Sequence, residues 1–166
     1  MSYPESDPAS SQFDQLLTSL QNQEKSKNKV PSGSANRESG LWNLIRQGIQ
    51  KSGRRIETTR LESWAIPGVP DVLLCAESGR FSFLELKVLR DGATKLALSP
   101  HQCAWLSRHA GAPCFVVLRD RSLAISVFDG ADAVDLRMDG FAAVAPLAVF
   151  EEPYEWEEFL KLTCPL

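Results

Sequence analysis

The sequence predicts an α/β fold in which helices and strands alternate along one domain of 166 residues. Three observations support this prediction. Apolar side chains recur at helical spacing within residues 36–51, two short apolar runs flank a turn within residues 72–88, and residues 99–111 begin with the residue types that start a helix. The expected order is helix, three strands, helix, two strands and a terminal helix.

The first helix is expected from about Asn36 to Lys51, and Gly53 ends it. A strand follows within Arg54–Trp64, where β-branched side chains are frequent. Pro67-Gly68 then marks a turn. The apolar stripe of the helix consists of Leu41, Trp42, Leu44, Ile45 and Ile49.

A hairpin is expected next, because Val72–Cys75 and Arg80–Val88 are apolar runs separated by Glu77-Ser78-Gly79. In the second helix, Ser99 suits the N-cap and Pro100 the first helical position, and Gly111 follows as its terminator. The remaining predicted elements are the strands Cys114–Leu118 and Leu123–Phe128, an irregular acidic stretch over Asp129–Pro146, and a terminal helix over Tyr154–Leu162.

The chain divides by composition into three parts. Residues 1–35 form a polar N-terminal extension with a short helix expected over Phe13–Leu20, residues 36–128 form the core, and residues 129–166 form an acidic C-terminal extension with the terminal helix. There is no run of 18 apolar residues and no signal-peptide pattern, so we expect no membrane association and a cytoplasmic protein.

The charge is distributed unevenly, although the net charge is only −3. Residues 21–128 contain 16 Lys and Arg against 9 Asp and Glu, whereas residues 129–166 contain 9 acids against 2 bases. A basic core of this kind allows a phosphate-binding face on an acidic protein, and two ordinary solvated surfaces are the alternative.

The four cysteines have no metal-binding spacing. They are Cys75, Cys103, Cys114 and Cys164, and no pair shows a C-x-x-C pattern. We expect buried free thiols rather than zinc ligands or disulfides.

The most informative residues are Asp71, Glu85 and Lys87. Glu85 and Lys87 interrupt an apolar strand, where charges are costly unless they are paired or bound to a metal. Because they are two residues apart, a strand directs both to the same face. Pro70 precedes Asp71 and suits the beginning of the neighbouring strand. An exposed salt-bridged pair is the alternative interpretation.

This arrangement favours metal-dependent phosphodiester hydrolysis. Mg²⁺ or Mn²⁺ prefers carboxylate oxygens, so Asp71 and Glu85 are expected as ligands, with the backbone carbonyl of Leu86 as a third. Lys87 is expected to hold its ammonium group near the attacking hydroxide and the phosphate.

Two further residues are candidates for the site. Gln102 could contact a metal-bound water or a phosphate, but it also stands where a capping box places Gln, and both roles can hold together. Glu38 lies on the apolar side of the first helix, where an acid is unusual, and its alternative role is to complement the helix dipole.

Five basic residues near the candidate site in sequence are expected to contact the DNA backbone. For each of them, a plain solvated charge is the alternative. They are Arg54, Arg55, Arg60, Arg90 and Lys95.

These motifs resemble the PD-(D/E)xK nuclease superfamily, and in particular its VRR-NUC-type and phage Holliday-junction-resolvase-like branch. The resemblance covers Asn36 to Phe128 and depends on Gly68-Val69-Pro70-Asp71, on Glu85-Leu86-Lys87 and on Leu98-Ser99-Pro100-His101-Gln102. It implies a restriction-endonuclease-like αβββαβ core with a central mixed sheet flanked by helices. It also implies Mg²⁺ or Mn²⁺ dependence and DNA cleavage that leaves a 5′ phosphate.

Carried over residue by residue, the resemblance implies that Asp71 and Glu85 bind the metal and that Lys87 is the catalytic lysine. Gln102 matches the glutamine that begins the following helix, and Glu38 matches the acid on the first helix that completes the metal site. The resemblance further implies branched DNA as the partner, a homodimer, and a role in DNA recombination.

The leading hypothesis is therefore a Mg²⁺-dependent endodeoxyribonuclease specific for branched DNA. One alternative is a catalytically silent protein of nuclease fold that binds a protein partner through its N- or C-terminal extension. Another is a nuclease subunit of a larger replication or packaging complex.

Overall fold

The computed structural model describes residues 35–61 and 66–165, with side chains from Glu38 onward. The expected helix over Phe13–Leu20 and the end of the strand predicted up to Trp64 lie outside these residues. The elements are α1 (Ala35–Ser52), β1 (Ile56–Arg60), β2 (Val72–Ala76), β3 (Phe81–Val88), α2 (Pro100–Arg108), β4 (Cys114–Arg119), β5 (Ile125–Asp129), a 3₁₀ turn (Gly130–Asp132), α3 (Ala133–Met138), β6 (Ala148–Phe150) and α4 (Trp156–Thr163).

The six strands form one mixed sheet in the order β1-β2-β3-β4-β5-β6. All neighbouring strands are antiparallel except β3 and β4, which are parallel and are connected through α2. A parallel pair needs such a crossover connection. The α/β fold, the αβββαβ order and the central mixed sheet are confirmed.

The sheet separates two apolar cores. On one face, α1 and α4 pack against alternate strand residues such as Leu74, Leu86 and Val117. On the other face, α2 and the short α3 pack against residues such as Val116 and Phe128. Because successive strand side chains point to opposite faces, Glu85 and Lys87 belong to the α2 face.

The prediction of an irregular stretch over Asp129–Pro146 is wrong. The Asp129 side chain accepts a hydrogen bond from Ala131 N at 2.9 Å and starts the 3₁₀ turn, which continues into α3. α3 has six residues and buries only Ala133 and Leu136, which is too little for a helical period to be visible in the sequence. The three-residue strand β6 was missed for the same reason.

The other elements agree with the sequence expectations to within a few residues. Gly53 has a φ of 68° and ends α1, and the terminal helix lies at Trp156–Thr163. The four cysteines are free thiols, of which Cys75 is half-buried and the other three are buried. No helix within residues 35–61 and 66–165 is long and apolar enough to span a membrane.

A glycine in the middle of α1 determines how α4 packs. A Cβ added at Gly48 would lie 2.1 Å from the ring of Trp156, the first residue of α4. Glycine is otherwise unfavourable inside a helix. The close approach of the indole ring to the α1 backbone therefore explains the residue.

We predict opposite effects for two Gly→Ala substitutions within α1. Gly48→Ala should lower the free energy of unfolding by roughly 1–3 kcal/mol, because the methyl group overpacks against Trp156. Gly40→Ala meets no described atom within 4 Å and should raise it by about 0.5–1 kcal/mol through helix propensity. Urea denaturation measures both, and a stabilised Gly48→Ala variant would contradict the packing argument.

Candidate active site

The site lies where β2 begins and leaves part of β3 uncovered. The pairing of β2 with β3 extends only from Cys75–Phe81 to Val72–Leu84. Beyond Leu84, the Leu86 N–H is satisfied by the side chain of Asp71, whose Oδ2 accepts it at 2.8 Å. In a strand, the N–H and C=O of one residue point to the same edge. The Leu86 carbonyl therefore faces the same gap as the Asp71 carboxylate.

Glu85 and Lys87 are buried side by side on the α2 face of β3. Glu85 is 0% exposed and Lys87 is 8% exposed. Lys87 Nζ lies 2.7 Å from Glu85 Oε1, so the two side chains form a buried ion pair on one face of the strand. The alternative of an exposed pair is wrong.

Gln102 takes part in the helix cap and also contacts Glu85. Its Oε1 accepts a hydrogen bond from Ser99 N at 2.9 Å, and Ser99 Oγ accepts one from Gln102 N at 3.1 Å, which completes the capping box. Its Nε2 donates to Glu85 Oε1 at 2.5 Å. The cap therefore holds the amide in one orientation and aims its donor at the buried carboxylate.

A glycine brings the segment before β2 against the start of α2. Gly68 has a φ of 89°, and a Cβ there would lie 2.2 Å from the backbone oxygen of His101. Only glycine tolerates both the positive φ and this approach. The sequence indicated a turn at Pro67-Gly68 but gave no sign of the contact, which keeps Asp71 near Gln102.

Glu38 joins the site from α1. Its Oε1 lies 3.9 Å from Lys87 Nζ, and the residue is half-buried. Burial raises the pKa of the Glu38 carboxyl, although Lys87 opposes this effect. Glu38 also lies in the first turn of α1, so the helix-dipole role considered from the sequence is compatible with this position.

Burial and like charges shift the ionisation of the central pair. Burial, followed by the negative charge of Asp71, raises the pKa of Glu85 to about 7, even though Lys87 acts to lower it. Burial acts to lower the pKa of Lys87, but the Glu85 carboxylate outweighs it with help from Glu38 and Asp71, and the pKa is raised. Lys87 is therefore an ammonium ion at neutral pH.

One oxygen of Glu85 is left without a hydrogen bond. Oε1 accepts from both Lys87 and Gln102, whereas Oε2 is buried and has no hydrogen-bond partner within residues 35–61 and 66–165. An unpaired buried carboxylate oxygen is costly. A cation bound at this oxygen would remove that cost.

The carboxylates do not form a dense cluster. Among the residues that the structure describes, no group of three or more His, Cys, Asp or Glu side chains lies close enough together to hold a metal ion. Magnesium can bind through one or two carboxylates and keep several water molecules. The donors present, Asp71, Glu85 and the Leu86 carbonyl, fit an ion of this kind.

The five basic residues expected to contact DNA do not all lie at the site. Arg60 pairs opposite Val72 at the site end of β1, and both Arg60 and Arg90 act to lower the pKa of Glu38. Arg60 Nη1 is buried and lacks a hydrogen-bond partner in the described part of the chain.

The other three are engaged elsewhere. Arg54 donates to the Cys164 carbonyl at 2.7 Å and so holds the end of α4, and Arg55 pairs with Glu77. Both lie just before β1, about 20 and 17 Å along the chain from Arg60. Lys95 donates to the Met138 carbonyl at the end of α3.

Comparison with known proteins adds a distant structural likeness. No protein-family model matches the chain, and a search of curated proteins gives no match. Among solved structures, the chain is similar to Archaeoglobus fulgidus Hjc, a Holliday junction resolvase from an archaeal hyperthermophile, with 20% sequence identity and a TM-score of 0.39. The likeness covers 57% of this chain and 76% of that chain. At this TM-score it carries no argument about function.

We predict that the buried ion pair costs stability when it is broken on one side. Lys87→Ala should lower the free energy of unfolding at pH 8 by roughly 3–5 kcal/mol, because Glu85 is left as an uncompensated buried charge. The loss should be smaller at pH 5.5. The folded-state pKa of Glu85, about 7, lies above its ordinary value, so the folded protein binds a proton there as the pH falls.

Two variants serve as controls, measured by chemical denaturation without metal. The double variant Glu85→Leu/Lys87→Met should recover most of the loss, because an apolar pair replaces both charges. Lys161→Ala breaks an exposed pair with Glu158 and should leave the stability nearly unchanged. A Lys87→Ala variant as stable as the wild type at pH 8 would show that Glu85 is not held as a buried charge.

Proposed function

We propose that this protein is a metal-dependent DNA endonuclease of the PD-(D/E)xK type that acts on branched DNA. The buried Glu85 carboxylate carries this proposal, because one of its oxygens is fixed by Lys87 and Gln102 while the other is unpaired beside Asp71. Buried carboxylate oxygens are normally hydrogen-bonded, so the unpaired one calls for an explanation. The arrangement fits a carboxylate that is held ready for a cation.

The residues that would hold Mg²⁺ or Mn²⁺ are Asp71, Glu85 and the Leu86 carbonyl, whereas Glu38 contacts Lys87 at 3.9 Å and does not join them as a third carboxylate ligand. The unpaired Glu85 oxygen supports this assignment, and so does the common edge that Asp71 and Leu86 face. When bound, the ion would supply charge neutralisation at the phosphate and a water molecule of lowered pKa.

Lys87 would act on the phosphate and on the attacking water. Its raised pKa keeps it charged, and its Nζ lies between Glu85 and Glu38, at 2.7 and 3.9 Å. A positioned ammonium group stabilises the negative charge that develops on the phosphoryl oxygens. Gln102 would act as a positioning residue, because the helix cap fixes its amide and the amide fixes Glu85.

DNA would approach along the side of the site that carries Arg60 and Arg90. These two residues are near enough to Glu38 to influence its ionisation. Arg54, Arg55 and Lys95 would contact the backbone only further along the duplex, because each is engaged away from the site. A homodimer would present two such sites to the opposed strands of a junction.

A non-catalytic binding or assembly protein is the second candidate, acting alone or as a subunit of a larger replication or packaging complex. The lack of a group of three acidic or other ligating side chains within the described residues favours it. The two candidates differ in whether DNA is cut and in whether Glu85 is required.

We predict Mg²⁺-dependent cleavage of a four-way junction or flap, with weaker cleavage of nicked and linear duplexes. Glu85→Gln and Lys87→Ala should each reduce the cleavage rate by about 100-fold or more, because each removes charge at the reacting phosphate. Lys87→Arg should not restore the rate, because the guanidinium is bulkier and spreads its charge over a planar group, whereas the ammonium is a compact charge.

Exposed charges away from the site provide the matched controls. Glu77→Gln and Lys161→Ala change the same residue types in exposed ion pairs and should leave the rate unchanged. Undiminished cleavage by Glu85→Gln would show that the activity comes from elsewhere. Absence of cleavage on every substrate would favour the non-catalytic candidate.

We also predict that metal affinity depends on pH. Glu85 must lose its proton to bind a cation, and its pKa is about 7. The apparent affinity for Mn²⁺ should therefore be about tenfold weaker at pH 6 than at pH 8. Calorimetry measures this, with Glu85→Gln as the variant that should not bind. Equal affinity at both pH values would mean that Glu85 is not a ligand.

A further inference from the structure

The part of the sheet next to the candidate site is not fully covered by a helix on its α2 face. Glu57 and Thr59 of β1 are exposed there, and Leu73 and Cys75 of β2 are half-buried. Neither Leu73 nor Cys75 belongs to either apolar core of the described chain. The open region extends onto β3, where Phe81 is 54% exposed.

Aromatic side chains border this open region in a row that leads away from Glu85, and two of them, Phe83 and Trp105, also pack against the α2-face core. Phe81 and Phe83 occupy the same face of β3 as Glu85, at about 14 and 7 Å from it along the strand. Trp105 of α2 packs edge-on against Phe83, with ring centroids 5.2 Å apart. We call the set Phe81, Phe83, Trp105 and His109 the aromatic row.

His109 extends the row as a fixed ring. Its imidazole stacks on Trp105 with ring centroids 3.8 Å apart and an interplanar angle of 19°. Its Nδ1 lies 2.7 Å from the Trp105 carbonyl oxygen, which holds the ring in this orientation. The tautomer determines which ring nitrogen of His109 carries the proton, but it does not affect the stacking on Trp105. An exposed ring that is already held flat pays little ordering entropy when another flat ring stacks on it.

The surroundings of the row favour a polyanion. Arg80 and Arg108 are exposed and adjoin Phe81 and His109 in the sequence. One acid, Glu57, is exposed on the same face of the sheet and would lie at its far side.

We propose that the aromatic row binds unpaired nucleotides of the strand that enters the candidate site, with their bases stacked on Phe81 and His109. This inference rests on the proposed nuclease function. Stacked nucleotides rise about 3.4 Å each, so Phe83 and Phe81 lie about two and four nucleotides from the phosphate at Glu85. A fully paired duplex cannot present its base faces to these rings, so the row would select DNA that is unpaired beside the cleavage point.

The test is binding of a fluorescent single-stranded oligonucleotide to the metal-free protein. Phe81→Ala and His109→Ala should each weaken binding about tenfold, because base–aromatic stacking contributes that order of affinity. Both side chains are exposed, so both variants should fold. The matched control is Val149→Ala on β6, an exposed apolar residue at the opposite edge of the sheet, which should bind as the wild type does.

A second measurement reports the stacking itself. 2-Aminopurine placed two to four nucleotides from the cleavage point should be quenched by the wild type and not by the Phe81→Ala/His109→Ala double variant. Unchanged binding and quenching in the double variant would overturn the inference, even if cleavage occurs. Loss of a dimer in that variant, detected by light scattering, would overturn it too, because the row would then be a contact between copies of the chain.

The experiments distinguish failure of the proposed nuclease function from failure of this inference. Binding that depends on Phe81 and His109, without cleavage on any substrate, would support the aromatic row and reject the proposed endonuclease. Cleavage that requires Glu85 but is unchanged in the Phe81→Ala and His109→Ala variants would support the endonuclease and reject the role of the aromatic row.

Discussion

The buried contact between Glu85 and Lys87 is the constraint on which the candidate site depends. Two charges in the interior are tolerated only when their remaining hydrogen-bonding groups are satisfied. Here Lys87 is shared with Glu38, and Oε1 of Glu85 is shared with Gln102. The other oxygen of Glu85, Oε2, has no hydrogen-bond partner among the residues that the structure describes. A cation bound at Oε2 together with the substrate would remove the cost of leaving this oxygen unpaired.

The sheet topology makes this arrangement accessible to a substrate. β2 begins at Val72, opposite Leu84, so β3 extends beyond the end of its partner strand. The Asp71 side chain accepts the hydrogen bond from the Leu86 N–H that a longer β2 would accept. The same gap brings an acid from α1 close to a lysine that belongs to the opposite face of the sheet. Residues that are distant in sequence therefore meet at an opening rather than inside a closed core.

The order of helices and strands and the pairing of Glu85 with Lys87 could be predicted because both depend on residues that are close in sequence. The pair Glu85 and Lys87, two apart in an apolar run, and the Ser99-Pro100 helix start both follow from short-range geometry. α3 and β6 were missed because elements of six and three residues are too short to show a period. Tertiary contacts at Gly48 and Gly68 were not visible either, because each depends on an element that is distant in sequence.

Long-range placement also explains why the basic residues could not be sorted from the sequence. Arg55 immediately precedes β1 and Arg60 is its last residue, and only the pairing with β2 reveals which end of the strand meets Asp71. Arg54 could be a plain surface charge on the evidence of the sequence, but its guanidinium donates a hydrogen bond to the carbonyl of Cys164, more than a hundred residues away.

The parallel pairing of β3 with β4 has a kinetic consequence. The hairpin of β2 and β3 needs only a short turn, whereas β4 can join β3 only after the chain between Val88 and Cys114 has closed through α2. Until then Gln102 is absent and the two charges remain hydrated on an open hairpin. Burial of the pair therefore depends on closing this connection and not on forming the hairpin alone.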